Sequence, residues 1–480
     1  MEAESFFTLL TLVVGFYMAW NIGANDVSNA MGTSVGSGAL SLKTAVIVAA
    51  VLEFCGAFFV GSDVSETMQR GLIDTSIFLT DPMLLVLGFC AALLSTGVWL
   101  QIASYFGWPV STTHAVVGAI IGFGFVAGGP GAIQWEELTS IVFSWILTPM
   151  ISAVVAYCLF SVLQKKILYT LNPIEATKKI FPSLVFLVFF TFSLSLIFNG
   201  LENIHLTLSF AEALLASSCI GFVAFLIAHV LIRKVIAPAD SYPYSKNISP
   251  QNVISLEKAV KHLQRVQSNS VEGVHKKVSG LLLEARFLTQ EVKQETHASD
   301  KNSEYKTVEK IFVFLQILSA CFIAFAHGAN DVANAIGPVA AVLDVLKNGQ
   351  ISEVSLIPSW LLAFGGIGIV IGLATWGWRV METIGKKITE LTPTRGFCAE
   401  FSAAIIILTA SKLGLPISTT HCIVGAVLGV GLAKGMRALN LNMIKEIVLS
   451  WVITIPASAL MSILVFYFFK AALLPLLVRM

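Results

Sequence analysis

The chain has 480 residues, of which 56% are hydrophobic and only 12% are charged. Soluble domains carry about 25% charged residues, so the composition indicates a polytopic membrane protein rather than a soluble domain. The formal net charge of +1 provides no global field that would attract nucleic acid, and we expect no nucleic-acid partner.

Hydrophobic passages follow one another along most of the chain. A membrane helix needs about 20 apolar residues, and the sequence contains twelve passages of this general kind. Several of them are short or interrupted by glycine and proline, which is typical of broken or re-entrant helices at a binding site. The twelve passages lie near residues 5–20, 44–62, 83–102, 109–126, 138–162, 181–200, 210–236, 311–326, 357–377, 397–413, 416–433 and 444–469.

The first passage follows an acidic N-terminus, MEAES, rather than the basic segment of a cleavable signal peptide, so we expect a retained first helix. Seven cysteines are scattered through apolar runs without a CxxC or metal-ligand spacing. We interpret them as packing residues and expect no bound cofactor.

Two motifs occur twice. GANDVSNAMG at Gly23–Gly32 returns as GANDVANAIG at Gly328–Gly337, and STTH at Ser111–His114 returns at Ser418–His421. Polar residues placed twice inside apolar surroundings are costly and usually mark a permeation site. The duplication predicts two repeats built around one shared centre.

The charges of equivalent loops have opposite signs in the two repeats. Loop 127–137 contains acidic residues and no basic ones, whereas 432–445 contains three basic residues. Loop 63–82 is net acidic, whereas 378–396 contains four basic residues. Because basic residues favour the cytoplasmic side, these two inversions predict repeats of opposite membrane orientation.

The segment 238–310 interrupts the hydrophobic passages. It opens with a turn-rich linker and continues as charged sequence in which apolar residues recur at helical spacing, so we expect two amphipathic helices. Its basic residues predict a cytoplasmic location, which places both termini outside. A regulatory or partner-binding role and a solvated spacer are both open. The expected organisation is a first inverted repeat at 1–165, two linking helices at 166–237, the insert at 238–310 and a second inverted repeat at 311–480.

The GAND motifs provide amide and carboxylate groups on one helical face. Asn and Asp at spacings of three and four residues share a face, if a helix begins near each motif after a sharp turn at Gly23 or Gly328. Asn amides can donate to an oxyanion, and carboxylates can ligate Na⁺. Capping of a helix by one Asx residue is the alternative interpretation. The residues concerned are Asn25, Asp26, Asn29, Asn330, Asp331 and Asn334.

The STTH motifs follow a proline and resemble helix starts. Free N–H groups, a partial positive charge and hydroxyl donors at such an end suit a tetrahedral oxyanion such as phosphate or sulfate. Capping alone is the rival interpretation, although it needs only one hydroxyl. The predicted anion ligands are Ser111, Thr112, Thr113, Ser418, Thr419 and Thr420. His114 and His421 follow them and are left unassigned.

Two carboxylates lie inside apolar passages at positions that are not equivalent in the repeats, Glu53 and Glu400. We interpret them as coupling groups, with a structural hydrogen bond as the alternative. Neither motif contains Lys or Arg, so a bound dianion needs a cation beside it. Coupling to Na⁺ or H⁺ is therefore expected, with each ligand strengthening the binding of the other.

The paired GANDVSNA and GANDVANAIGP strings, each followed by P[VI]STTH, resemble the PiT-type inorganic phosphate transporters. The resemblance covers roughly residues 5–165 and 308–470. It implies a twelve-segment inverted-repeat carrier, often dimeric, that moves inorganic phosphate with Na⁺ or H⁺. The family's site residues carry over to Asn25, Asp26, Ser111, Thr112, Thr113, Asn330, Asp331, Ser418, Thr419 and Thr420, and its intramembrane glutamates look like Glu53 and Glu400.

The sequence thus predicts an all-α integral membrane protein of about twelve transmembrane segments in two inverted repeats with broken or re-entrant helices, plus a small helical cytoplasmic insert. We expect a multi-pass, homodimeric phosphate importer in the cell membrane, in contact with lipid and not an enzyme. A sulfate permease of the same family is the alternative, and an anion channel is a further one. A membrane phosphatase lacks a nucleophile, base and metal set with recognisable spacing.

Overall fold

The fold is helical throughout the residues that the structure, a computed structural model, describes: 2–200, 208–234, 250–268, 272–300, 303–350, 357–378, 380, 391–435 and 441–477. Within these ranges there are fifteen α-helices, and the only β pairing is one isolated bridge between Ile73 and Ile133. The predicted all-α class is confirmed.

The helices preceding residue 238 are α1 (Glu2–Gly36), α2 (Leu42–Val60), α3 (Ser62–Arg70), α4 (Pro82–Phe106), α5 (Thr112–Gly128), α6 (Trp135–Leu163), α7 (Pro173–Gly200) and α8 (Phe210–Ile232). Those following it are α9 (Pro250–Ser268), α10 (Glu272–Asp300), α11 (Ser303–Asn348), α12 (Ser359–Trp376), α13 (Pro393–Lys412), α14 (Thr419–Lys434) and α15 (Leu441–Leu477).

Nine of the described helices are long and apolar enough to cross a membrane. Two further apolar helices, α5 and α14, have only 17 and 16 residues and begin at the two STTH motifs. These short helices agree with the predicted broken segments. The count of twelve crossings and the inverted relation of the repeats stay predictions.

The GAND motifs lie inside continuous helices, and the expectation that a helix begins at each motif after a sharp turn is wrong. α1 runs for 35 residues through the first copy and α11 for 46 residues through the second. The glycines serve close packing instead. A β-carbon on Gly23 would lie 1.9 Å from the carbonyl oxygen of Ile369, and one on Gly328 would lie 2.0 Å from that of Glu53.

Helices of the first half of the chain, before residue 238, pack against helices of the second half, after it. α1 lies against α12, and Gly328 of α11 meets the backbone of α2. The STTH helices show the same exchange, because a β-carbon on Gly122 of α5 would lie 2.5 Å from the carbonyl oxygen of Ala459 in α15. In the same way, a β-carbon on Gly429 of α14 would lie 2.0 Å from the carbonyl oxygen of Ala153 in α6. Gly122 and Gly429 each end a GxxxG pair, a spacing that allows two helix backbones to approach closely.

The two STTH helices have matching starts. Gly107 and Gly414 adopt left-handed conformations, with φ of 69° and 65°, and end the preceding helical runs. After a short extended stretch, the hydroxyl oxygens of Ser111 and Ser418 accept hydrogen bonds from the third following backbone N–H, each at 3.2 Å. The serines are therefore N-caps, and the threonines after them are available for other contacts.

The described helices divide into two compact units. The first comprises Met1–Phe160, Leu187–Gly221 and Val313–Met480 and contains both copies of each motif.

The second unit comprises Ser161–Phe186 and Phe222–Phe312. In it α9 and α10 lie against each other, which agrees with the two helices predicted for the insert. Val278 and Leu282 of α10 are buried, whereas Val274 and Leu281 are more than half exposed, so only part of the predicted apolar stripe is covered. The predicted linker at the start of the insert lies outside the described residues.

Candidate functional site

The predicted motif residues lie together in the buried interior of the first unit. Each has at most 3% of its surface exposed. Hydrogen bonds connect residues of the first half with residues of the second. The buried set comprises Asn25, Asp26, Asn29, Ser111, Thr112, Thr113, Asn330, Asp331, Asn334, Ser418, Thr419 and Thr420.

Each aspartate is fixed at the first turn of the STTH helix of its own half. The hydroxyl of Thr112 donates to Asp26 Oδ2. The hydroxyl of Thr419 donates to Asp331 Oδ2 at 2.7 Å. Both carboxylates therefore lie beside a helix N-terminus, where the helix dipole favours negative charge.

A second set of hydrogen bonds crosses from one half to the other. Asn29 Nδ2 donates to Thr420 Oγ1 at 2.8 Å, and Asn334 Nδ2 donates to Thr113 Oγ1 at 3.3 Å. The two threonine hydroxyls in turn donate to backbone carbonyls of the opposite half, at 2.8 Å for Thr113 and 3.2 Å for Thr420. The two motif copies therefore form one connected cluster rather than two separate ones.

The amides of Asn25 and Asn330 are each oriented by a backbone carbonyl, which cannot donate. Asn25 Nδ2 donates to Ser104 Oγ at 3.0 Å and to the carbonyl of Trp108 at 3.2 Å. Asn330 Nδ2 repeats this arrangement with Ser411 Oγ at 3.0 Å and the carbonyl of Leu415 at 3.3 Å. Because a carbonyl oxygen only accepts, each amide nitrogen must face it.

The amide hydrogens are mostly used within the protein. Asn25 and Asn330 each donate twice, as does Asn29, which donates to Asp26 and Thr420, while Asn334 donates once. The amides therefore have few donors left for an oxyanion in this structure, and the oxyanion-binding role inferred for them from sequence stays a prediction. Their oxygens are instead available to a ligand, because the Oδ1 atoms of Asn29, Asn330 and Asn334 are buried and accept no hydrogen bond.

Sequence reasoning missed His327, which precedes the second GAND motif. Its Nε2 lies 2.9 Å from Asp331 Oδ2 and its Nδ1 lies 3.3 Å from Glu53 Oε1. One ligand atom each of Asp26, His327 and Asp331 lie within 4.8 Å of one another, so carboxylates of both halves meet at this ring. A histidine four residues before Asp331 shares its helical face, and this spacing was the available signal. The first copy has Ile22 in the same place.

The cluster contains three carboxyl groups and one histidine. Glu53, Asp26 and Asp331 are completely or almost completely buried, and none of the described lysines or arginines pairs with them. If all three carboxyl groups are ionised and His327 is a protonated imidazolium, two negative charges remain uncompensated. Buried charge of this kind is stable only with a cation or a proton.

Glu400 lies in a polar pocket of its own. It is fully buried, and its two carboxylate oxygens accept four hydrogen bonds of 2.5–3.2 Å. Unlike Glu53, it therefore has its hydrogen-bonding capacity met by neutral donors. The donors are Thr33, Ser34, Gln316 and Ser319.

The two unassigned histidines pack against each other. The ring centroids of His114 and His421 lie 4.4 Å apart in an edge-to-face arrangement. The centroid of Trp145 lies 3.9 Å from that of His114, and the centroid of Trp451 lies 3.6 Å from that of His421. This four-ring stack joins the STTH helices of both halves directly behind the threonines.

Comparison with known proteins identifies relatives of the chain. A solved structure of a protein described as "The sodium-dependent phosphate transporter" superimposes with a TM-score of 0.78 at 34% identity, over 97% of this chain and 100% of that one. A Chlamydia pneumoniae protein provisionally named a phosphate permease is 45% identical over 467 residues, which cover 96% of this chain and 98% of that protein.

The chloroplastic inorganic phosphate transporter 2-1 of Arabidopsis thaliana is 42% identical over 465 residues, which cover 96% of this chain and 72% of that protein. The sequence model of the phosphate transporter family matches residues 22–462. A match over nearly the whole chain, both motif copies included, assigns a transporter rather than an enzyme, and the chain belongs to the phosphate transporter family.

Proposed function

We propose that this protein is a secondary active transporter that imports inorganic phosphate by symport with Na⁺ or H⁺. Alternating access exposes one central site to either side of the membrane. The observation that carries the proposal is the meeting of both motif copies in one buried cluster, where three carboxylates face a single histidine.

The anion is held by the starts of the two STTH helices. Each start offers backbone N–H groups and the positive end of the helix dipole. Its threonine hydroxyls donate to the aspartates and to backbone carbonyls in this structure, and they turn toward the anion only when it binds. The absence of Lys and Arg from both motifs leaves the dianion without a fixed counter-charge. The anion therefore depends on a cation that binds with it.

The cation is held by oxygen atoms of the GAND motifs. Amide oxygens of Asn29, Asn330 and Asn334 together with the two aspartate carboxylates form a set of hard ligands, which suits Na⁺ better than a soft metal ion. The similar solved structure is that of a sodium-dependent phosphate transporter, which favours Na⁺ over H⁺. Asn25, Glu53 and Glu400 complete the proposed set of coupling residues.

The direct test is uptake of radiolabelled phosphate into proteoliposomes under an imposed Na⁺ or H⁺ gradient, with sulfate as competitor. Saturable uptake that requires one of these gradients supports the symporter. Unitary currents in a planar bilayer would indicate an anion channel instead. Preferential uptake of sulfate would indicate that sulfate, and not phosphate, is the substrate.

We further propose a multi-pass homodimer in the cell membrane, with the insert cytoplasmic, both termini outside and the repeats inverted. Single cysteines introduced at residues 130 and 436 of a cysteine-free variant then react with impermeant reagents from opposite sides of the membrane. Reaction of both from the same side contradicts the inverted topology.

A further inference from the structure

The two aspartates of the site differ in how their carboxylate oxygens are used. Asp26 has both oxygens hydrogen-bonded, Oδ1 by Asn29 Nδ2 at 3.2 Å and Oδ2 by Thr112. Asp331 Oδ2 accepts a hydrogen bond from Thr419 and lies 2.9 Å from His327 Nε2, but Oδ1 accepts no hydrogen bond although the side chain is only 1% exposed.

The difference follows from the neighbouring asparagines. Asn29 divides its two amide hydrogens between Asp26 and Thr420, whereas Asn334 donates to Thr113 and not to Asp331. A buried carboxylate oxygen without a donor costs free energy unless a ligand supplies one. Asp331 is held by Thr419 at the first turn of α14, where the proposed anion binds, so a donor on the substrate is well placed to reach it.

We propose that Asp331 Oδ1 accepts a hydrogen bond from a protonated oxygen of hydrogen phosphate and thereby determines the selectivity for phosphate over sulfate. The inference rests on the proposed function, since it specifies how the same site recognises its substrate. Near neutral pH phosphate carries at least one O–H group, whereas sulfate carries none. Opposite sulfate, the carboxylate oxygen meets only lone pairs and repels the anion.

The magnitude of such discrimination is large. A site that hydrogen-bonds a substrate hydroxyl rejects an analogue without it by about 10⁴- to 10⁵-fold, because the buried polar group is left unpaired. Here sulfate keeps the contacts with both helix starts, so we expect a smaller preference of at least about 100-fold.

The test is equilibrium competition against radiolabelled phosphate on the purified full-length protein at fixed Na⁺. The competitors are sulfate and monofluorophosphate, a tetrahedral dianion that matches hydrogen phosphate in shape but has fluorine in place of the hydroxyl. We expect the wild-type protein to bind phosphate at least about 100-fold more tightly than either competitor. This comparison needs no variant.

Asp331→Asn and the matched variant Asp26→Asn locate the effect. Asparagine at 331 offers N–H donors to an unprotonated oxygen, so the preference for phosphate over sulfate should fall by at least about tenfold. Asp26→Asn should weaken both anions in parallel and leave their ratio unchanged within about threefold, because both oxygens of Asp26 are already bonded.

Equal wild-type affinities for phosphate and monofluorophosphate would overturn the inference, and so would equal changes of the ratio in both variants. A change in the Na⁺ requirement of Asp331→Asn without a change in the anion ratio would assign Oδ1 to the cation instead. These results leave the proposed function standing. Failure of the wild-type protein to bind phosphate at all would remove the proposed function itself.

Discussion

The two copies of the site share most of their hydrogen bonds but only some of their ionisable groups. Asn25 and Asn330 contact equivalent partners, as do the two aspartates and the two capping serines. His327, in contrast, corresponds to Ile22 in the first copy. Gly328 packs against the carbonyl of Glu53, and its equivalent Gly23 packs against the carbonyl of Ile369. Glu53 therefore corresponds to Ile369.

The difference separates two tasks within one site. Under the proposed function, the repeated contacts build an anion-binding site from neutral donors, for which two similar halves are sufficient. The unrepeated groups, His327, Glu53 and Glu400, add charge that only one half supplies. Under the proposed function, the paired aspartates bind the cation and these unrepeated groups adjust the charge around it. The following variants test this division from the largest expected effect to the smallest.

Asp26→Asn and Asp331→Asn, one in each half, should each reduce cation-coupled phosphate uptake by about 100-fold or more, because loss of a buried ligand charge costs about 3 kcal/mol or more. Uptake into proteoliposomes measures this, and the exposed Glu136→Gln serves as the control that changes charge only. Full coupled transport by either aspartate variant would remove that residue from the site.

Glu400→Gln should reduce uptake by about tenfold or more, equivalent to about 1.4 kcal/mol. All four partners of Glu400 donate, and a glutamine amide turns N–H groups toward at least one of them. The control is Leu93→Met at a buried position of the first half. This substitution keeps the side-chain volume and should lower the free energy of unfolding by less than about 1.5 kcal/mol. Equal losses of uptake at both positions would deny Glu400 a special role.

Gly429→Ala and its counterpart Gly122→Ala should both lower the melting temperature of the purified protein, by overpacking worth about 1–3 kcal/mol. The added β-carbon would lie 2.0 Å and 2.5 Å from a backbone oxygen of the opposite half. Gly280→Ala, in an exposed helical position with nothing within 4 Å, should instead stabilise by about 0.5–1 kcal/mol. Unchanged melting of both core variants would contradict the interlocked packing.

Lys412→Ala should have the smallest effect, at most about 1 kcal/mol on stability. Its Nζ lies 3.8 Å from Asp63 Oδ2, and both side chains are about 30% exposed, so solvent screens the pair. The melting temperature and its salt dependence measure this. A loss as large as that of the glycine variants would show that α3 is held to the second half mainly by this ion pair.

Sequence alone predicted the membrane class and singled out the twelve motif residues that the structure buries together, because duplicated polar strings in an apolar chain have few structural explanations. Their role in binding stays a prediction. It did not predict that α1 and α11 run continuously through the motifs, since helical glycine is tolerated where another backbone approaches closely. His327 was missed because a single histidine has no repeat to reveal it. The direction of the asparagine amides depends on carbonyls about 80 residues away and has no sequence signature.

The most direct test of the central claim is the linkage between anion and cation, measured by titrating phosphate into the purified protein at several Na⁺ concentrations and, without Na⁺, at several pH values. We expect one cation to tighten phosphate binding by at least about fivefold, and phosphate to tighten binding of that cation by the same factor. Phosphate binding that is independent of both Na⁺ and pH would contradict a shared site in which buried carboxylates and a co-bound cation hold the anion.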